Sequence, residues 1–279
     1  MTIRIVTDSA CDVPADIAAE LNITIIPVYI NIGDESYLDG VELTRREFFD
    51  NLPDYKTFPT TAAPSIGTFT AVYQELADHG VDEIISIHIP EGLSATFHSA
   101  RLGAAEVTGA TITLFDSMQL TMGAGLQVIM AAEAAAAGKS LSEIMALLEE
   151  IRPKAHIFAI LDTLEFMRRS GRVGWAQFAA GTLLRIKPIV SVFNGEVGQA
   201  ARVRTSNRAI REMLKMTTDL SPLARIAILH THNLEGAESL KAQLQPLFPP
   251  DQSVPVMEIT PAIGAHTGPN AVGVAFIRK

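Results

Sequence analysis

Glu83-Ile84-Ile85-Ser86-Ile87-His88-Ile89-Pro90-Glu91-Gly92-Leu93-Ser94-Ala95-Thr96-Phe97-His98-Ser99-Ala100 is the stretch whose reading decides the fold. A continuous apolar run closes at Pro90, crosses a short turn and re-enters a helix-forming segment. It predicts a strand over 83–89, a loop, and a helix over 94–107. The same alternation holds on both sides. Upstream lie a strand over 3–6 and a helix over 14–21, with Asp12 as its expected cap. An apolar run over 23–30 reads as buried on both faces. The capping box Thr44-Arg45-Arg46-Glu47 opens a short helix, and Pro64 starts another that runs to about His79. Downstream come a strand over 111–115 and helices over 121–137 and 141–151, the second with the capping box Ser140-Leu141-Ser142-Glu143. Strands alternating with helices in this way imply a parallel sheet with crossover helices. Ligands of such sheets sit beyond the carboxyl ends of the strands. The loops after Val6, Ile89 and Phe115 are therefore the places to search.

The pattern changes after Pro153. A strand over 156–161 leads into a short helix, Asp162 to Arg169, ended by Gly171. An apolar helix over 175–184 follows. Strands over 186–193 and 198–204 flank Asn194-Gly195, a strong hairpin signal. A helix over 208–216, a strand over 226–229, a helix over 234–245 and strands near 254–259 and 272–277 complete the chain. The expected fold class is α/β in two domains. Residues 1–153 form a parallel-sheet domain and residues 154–279 a mixed-sheet domain with antiparallel pairing.

Composition narrows the function. With 48% hydrophobic and 19% charged residues in 279, a packed core is expected and disorder is not. A net charge of −9 argues against nucleic acid, whose binding relies on cationic side chains meeting phosphates. The single cysteine, Cys11, excludes an internal disulfide framework and fits a reducing cytoplasm. No secretory signal is expected at the start, and the apolar stretch from Thr121 to Gly138 reads as a packed helix, not a membrane span. Seven scattered histidines form no metal-binding spacing, and Asp8 and Asp116, each ending a strand, lack a spaced third ligand, so no metal is expected.

Three loops carry the candidate chemistry. Ser94 stands between strand and helix, where it caps the helix for about 1 kcal/mol and where free backbone N–H groups attract a carboxylate or phosphate. Thr61, in Thr60-Thr61-Ala62-Ala63-Pro64-Ser65, offers a second hydroxyl from what reads as a turn. His266 sits in Gly264-Ala265-His266-Thr267-Gly268-Pro269-Asn270, where glycines let backbone approach a ligand and a neutral imidazole can donate one hydrogen bond. Together they suit one small anionic headgroup. A hydrolase using Ser94 and His266 is the alternative. It lacks a complete nucleophile elbow, since Gly92-Leu93-Ser94-Ala95-Thr96 has no second glycine, and no acid is visibly paired with His266. No phosphate-binding glycine loop of an autonomous kinase is present. Arg168, Arg169 and Arg172 cluster around Gly171, a basic exception in an acidic chain that suits a phosphate or an acidic partner.

Five segments in order resemble the DegV family of bacterial fatty-acid-binding proteins. They are Ile5-Val6-Thr7-Asp8-Ser9 with Cys11-Asp12-Val13-Pro14; Thr60-Thr61-Ala62-Ala63-Pro64-Ser65; Leu93-Ser94-Ala95-Thr96-Phe97; Asp162-Thr163-Leu164-Glu165-Phe166 running into Gly171-Arg172-Val173-Gly174; and His266-Thr267-Gly268-Pro269. The resemblance covers nearly the whole chain. It implies two domains with one long-chain fatty acid between them as the bound ligand, and no other cofactor. The carboxylate is held by Thr61, Ser94 and His266, and the tail lies in an apolar tunnel. Arg172 is implicated in handling the phosphorylated product or the partner, with Arg168 and Arg169 beside it. The protein is then not an enzyme. It presents the acyl carboxylate to a separate ATP-dependent fatty acid kinase and retains the acyl phosphate for phospholipid synthesis, with room for transient contact with a membrane or an acyltransferase. Glu91-Gly92 stands where relatives often have serine and lysine, Ala95 replaces a usual glycine and Asn270 another, so the rim differs while the hydroxyls remain.

Overall fold

A computed structural model of the chain describes residues 2–174, 186–250 and 252–279. The expected apolar helix over 175–184 lies outside the described residues. The first sheet has the order β2-β1-β6-β7 and is parallel throughout. Its strands are β1 (Ile3–Asp8), β2 (Thr24–Ile26), β6 (Glu83–His88) and β7 (Thr111–Asp116). Helices α1 (Ala15–Glu20), α3 (Ile66–Asp78) and α4 (Thr96–Ala105) connect them, as the strand–helix alternation requires. A small antiparallel sheet, β4-β3-β5, is inserted between β2 and β6. It comprises β3 (Tyr29–Ile32), β4 (Glu35–Leu38) and β5 (Thr60–Ala62), with α2 (Arg45–Asn51) between the last two.

The second sheet is six-stranded and mixed, with the order β10-β9-β8-β13-β11-β12. Its strands are β8 (Ala155–Ile160), β9 (Lys187–Phe193), β10 (Glu196–Val203), β11 (Leu223–His230), β12 (Val256–Glu258) and β13 (Val272–Arg278). Only β11 and β12 pair in parallel. Asn194 and Gly195 make the β9–β10 turn with φ of 49° and 78°, the double left-handed geometry of a tight hairpin. The remaining helices among the described residues are α5 (Thr121–Ala136), α6 (Leu141–Ile151), α7 (Glu165–Ser170), α8 (Ser206–Asp219), α9 (Leu234–Leu244) and α10 (Pro261–Thr267).

Helix α5 joins the two halves. It is buried along most of its length, and one apolar core runs from Ile5 and Ile85 through Met122, Val128 and Ala131 to Ile157 and Ile277. Its small residues set how closely it docks. A Cβ on Gly125 would lie 2.4 Å from the Cys11 carbonyl oxygen, and one on Gly123 2.7 Å from Ile157 Cδ1. Alanine at either position would push the helix off one half or the other.

Four local expectations are corrected. The apolar run over 23–30 is not one strand. Pro27 has no N–H to continue a ladder, so the run divides between β2 and β3 in different sheets. Asp12 does not cap α1, whose N-cap is Pro14. Asp8 caps the preceding turn by accepting from Ala10 N, and Asp12 closes it at φ 58°. Thr60–Ala62 is not a turn but edge strand β5, with Thr61 opposite Ile30. The segment around His266 is helical, which frees its glycines for packing. A Cβ on Gly264 would stand 2.6 Å from Phe49 Cζ, so this glycine serves close approach to a side chain, not to a ligand.

Candidate functional site

A cavity of about 640 Å3 opens between the carboxyl ends of the parallel strands and the face of the mixed sheet. This is within the size range of small-molecule sites. All three loops singled out by strand order reach it, through Ala10 after β1, Ile89 to Ala95 after β6, and Leu120 and Thr121 after β7. The mixed sheet contributes an aliphatic wall, including Ile157, Ala159, Val190, Val192 and Leu229. Polar side chains also face it. Thr61, Ser94, Arg172 and His266 all border the same cavity, whereas Arg168 and Arg169 do not.

Thr61 and His266 are brought together from opposite ends of the chain. Thr61 Oγ1 lies 3.0 Å from His266 Nε2. His266 Nδ1 is buried with no hydrogen-bond partner among the described residues. An orphaned buried N–H is the costlier defect, which favours the proton on Nε2. The imidazole then donates to Thr61 Oγ1 and leaves the Thr61 O–H to donate into the cavity. Burial, and secondarily the nearby Arg172 charge, lower the His266 pKa to about 4, so the ring is neutral.

Ser94 precedes α4, whose N-cap is Ala95, a residue without a side-chain acceptor. Ser94 Oγ still accepts from Thr96 N at 3.2 Å and lies 2.9 Å from Thr96 Oγ1. The cap expected of Ser94 is therefore displaced by one residue but its bond to the first turn survives. Ser94 and His266 border one cavity without being hydrogen-bonded to each other, and no carboxylate meets His266 Nδ1 among the described residues. The relay a serine hydrolase needs is not assembled.

The three arginines do not form one patch. Arg172 Nη1 donates to the Leu93 carbonyl at 2.8 Å, which ties the segment after α7 to the loop carrying Ser94. Arg169 pairs with Glu165 at 2.5 Å and its guanidinium stacks 4.2 Å above the Phe58 ring. Arg168 is exposed and its side chain has no ion pair among the described residues. Arg168 and Arg169 are successive residues of α7 and so point to different sides of it, while Arg172 lies beyond the left-handed Gly171 that ends the helix.

Thr121 was missed by sequence reading. It begins α5 beside the cavity with φ 41°, a conformation that β-branched residues rarely adopt. No local pattern announces it. Asp8 and Asp116 prove structural. Asp8 pairs with His88 at 2.8 Å, and Asp116 accepts from Glu91 N and Met118 N. Among the described residues no group of three or more His, Cys, Asp or Glu side chains could hold a metal ion, and no helix is long and apolar enough to cross a membrane.

A parallel α/β sheet facing a mixed sheet across a largely apolar cavity that also carries hydroxyl, imidazole and guanidinium groups defines a class of small-molecule binding protein. The chain matches the model of the DegV family, described as uncharacterised proteins, over residues 2–279, and it belongs to that family. It is 37% identical to a DegV domain-containing protein of Deinococcus radiodurans, covering 99% of this chain and 98% of that one. Among solved structures it resembles a DegV family protein from Thermus thermophilus, described by its fatty acid binding, with 34% identity, a TM-score of 0.92 and full coverage of both chains. It also resembles DegV, a fatty acid binding protein from Bacillus subtilis, with 29% identity, a TM-score of 0.90 and full coverage of both chains.

Proposed function

We propose that this protein binds one long-chain fatty acid in the cavity between residues 1–153 and residues 154–279 and serves as the lipid-binding subunit of a fatty acid kinase system. The carboxylate lies against the hydroxyls of Thr61 and Ser94, with His266 fixing the Thr61 hydroxyl, and the tail runs along the aliphatic wall. The observation that carries this reading is a 640 Å3 cavity that has a long aliphatic wall and the hydroxyls of Thr61 and Ser94, with His266 and Arg172, on the same lining. A ligand with one anionic end and a long apolar remainder matches it, and the fatty acid binding of the Thermus thermophilus and Bacillus subtilis relatives supports it.

A neutral His266 is a positioning group here, not a general base. Its depressed pKa leaves little proton affinity for that role near neutral pH. The chemistry on the carboxylate therefore falls to a separate ATP-dependent kinase. Arg172, on the cavity lining, is placed to meet the added phosphate, while Arg168 and Arg169 face away toward a partner. The acyl phosphate stays in the cavity for later use in phospholipid synthesis. Solvent extraction of the purified protein followed by mass spectrometry should find one fatty acid per chain. Recovery of no lipid, together with no calorimetric binding of added palmitate or oleate, overturns the reading.

A further inference from the structure

A second polar cluster lies behind the cavity wall and reaches the cavity only through Thr121 among its members. It gathers Asp8, Ser9 and Asp12 from the turn after β1, Asp39 after β4, Arg45 in α2, Thr121 in α5 and Thr260 before α10. Asp8, Asp12, Asp39 and Thr260 are each at most 3% exposed. Asp12 Oδ1 accepts from Thr260 N at 2.8 Å and pairs with Arg45 Nη2 at 3.2 Å. Arg45 also donates to the Glu258 carbonyl. The N-terminal half thus grips the segment that begins α10, and α10 carries Ile263 and His266 to the cavity.

Carboxylates outnumber the arginine in this cluster. Asp8 Oδ2 lies 2.8 Å from His88 Nδ1, and Asp12 is paired with Arg45. The Glu258 carboxylate lies 3.7 Å from His232. Cys11, buried in the same turn, stays a neutral thiol because burial, then the Asp8 charge, push its pKa well up. Asp39 has no ion pair among the described residues. Its Oδ2 accepts from Ser9 Oγ at 2.6 Å, and its Oδ1 has no hydrogen-bond partner among them. The Thr260 hydroxyl, also unpartnered, stands beside Asp39 but outside hydrogen-bond geometry, and the Thr121 hydroxyl stands likewise beside Asp12. A buried carboxylate lacking a counter-charge takes up a proton. Burial raises Asp39 to about 7, opposed by the Ser9 hydrogen bond, reinforced by the Asp12 charge, and opposed more weakly by the Arg45 charge and the Thr260 hydroxyl. Burial also raises Asp12, to about 6, against the pull of Arg45. Asp39 and Thr260 border a separate cleft of about 770 Å3 beside the edge strands β2 and β12, which gives protons a route.

We infer that Asp39 is a proton-binding positioning residue for α10, so that hold on the acyl ligand weakens as pH rises through neutrality. Protonated, Asp39 adds no charge beside Asp12. Ionised, it sets a second negative charge near Asp12 that competes for Arg45 and raises the proton affinity of Asp12, which weakens the Asp12 bond to Thr260 N and loosens the clasp. The ligand consequence rests on the acyl-binding reading; the clasp itself does not.

The experiment has two arms on the full chain. Palmitate affinity is measured calorimetrically between about pH 6 and about pH 8.5 for the wild type and Asp39→Asn, and their ratio cancels the ionisation of palmitate itself. The wild type should lose about tenfold in affinity relative to the variant across that range. In ligand-free protein, protection of the Thr260 N–H against hydrogen exchange, corrected for the intrinsic base-catalysed rate, should fall with the same midpoint and stay level in Asp39→Asn. Ser9→Ala removes a bond that favours ionised Asp39, so it should move the midpoint upward, and it carries the test if Asp39→Asn does not fold. Coincident wild-type and Asp39→Asn profiles, or an unmoved midpoint in Ser9→Ala, overturn the inference. Failure to bind palmitate while exchange still follows Asp39 overturns the acyl reading and upholds the clasp.

Discussion

Replacing Gly264 by alanine tests whether the packing of α10, and not local helix preference, sets the geometry of the polar end. The added Cβ would stand 2.6 Å from Phe49 Cζ and 3.0 Å from Phe48 Cε1. Neither ring can easily yield. Both are at most 2% exposed, and they meet edge to face with centroids 5.1 Å apart. Two effects oppose each other. Alanine in a helix interior is favoured over glycine by about 1 kcal/mol, while overpacking a filled core costs about 1–3 kcal/mol. The clash should win by up to about 2 kcal/mol, which for a chain of this size lowers Tm by up to roughly 8 °C at about 2–4 °C per kcal/mol. Because the rings are held, α10 yields instead and takes His266 away from Thr61. Fatty-acid affinity should drop about threefold to tenfold, in keeping with a weakened hydrogen bond. The assays are thermal unfolding without ligand and calorimetric titration with palmitate. A Tm that rises by about 2 °C with unchanged affinity would refute the reasoning, because it would mean helix propensity governs and the aromatic wall is soft.

Two further outcomes follow from the site. Ser94→Ala removes the acceptor for Thr96 N and one ligand-facing hydroxyl, at about 1–2 kcal/mol for each loss; melting and palmitate binding measured separately should both decline, and earlier melting with normal binding would make Ser94 a cap alone. Arg172→Ala frees the Leu93 carbonyl and removes a charge near His266. Its fatty-acid affinity should fall by no more than several-fold, as expected of an exposed cation, while acyl-phosphate formation with a cognate kinase falls further. The His266 pKa, followed by NMR, should rise only part of the way from about 4, because burial is the larger cause of its depression.

The parallel sheet was legible because strands buried on both faces read as unbroken apolar runs, and Glu83 to Ile89 is the clearest of them. The inserted sheet was not. Strand β5 is three residues long, carries Thr60 and Thr61, and has neither alternation nor a hydrophobic run to mark it. Helix α10 was hidden by its own glycine, since Gly264 reads locally as a turn and its reason, the Phe49 ring, lies far away in sequence. Asp12 was misread for a similar cause. A short acidic residue before a helix suggests a cap, yet its partner Thr260 is 248 positions distant. The pairing of Thr61 with His266, separated by 205 positions, came from family motif order and not from any spacing rule. Local chemistry was readable in each loop; the contacts that give it purpose are long-range.

On the acyl-carrier reading proposed above, the division of binding energy within the cavity would let the protein hold a substrate and its product alike. Some fifteen buried tail carbons at about 0.8 kcal/mol each contribute roughly 12 kcal/mol gross. Association consumes about 4–15 kcal/mol of this. Each hydroxyl bond at Thr61 or Ser94 adds only about 1.5–3 kcal/mol. The aliphatic wall therefore governs residence, and the polar end governs register along the tunnel. Converting the carboxylate to an acyl phosphate leaves the dominant contribution untouched. It also adds negative charge next to Arg172, whose fork can grip phosphate once it gives up the Leu93 carbonyl. Releasing Leu93 loosens the loop that carries Ser94, so the phosphorylated end gains a cation while losing part of the carboxylate's own cradle. A site built in this way retains its tail while exchanging partners at its head, which is the behaviour that a carrier shared between a kinase and a later acyl acceptor requires.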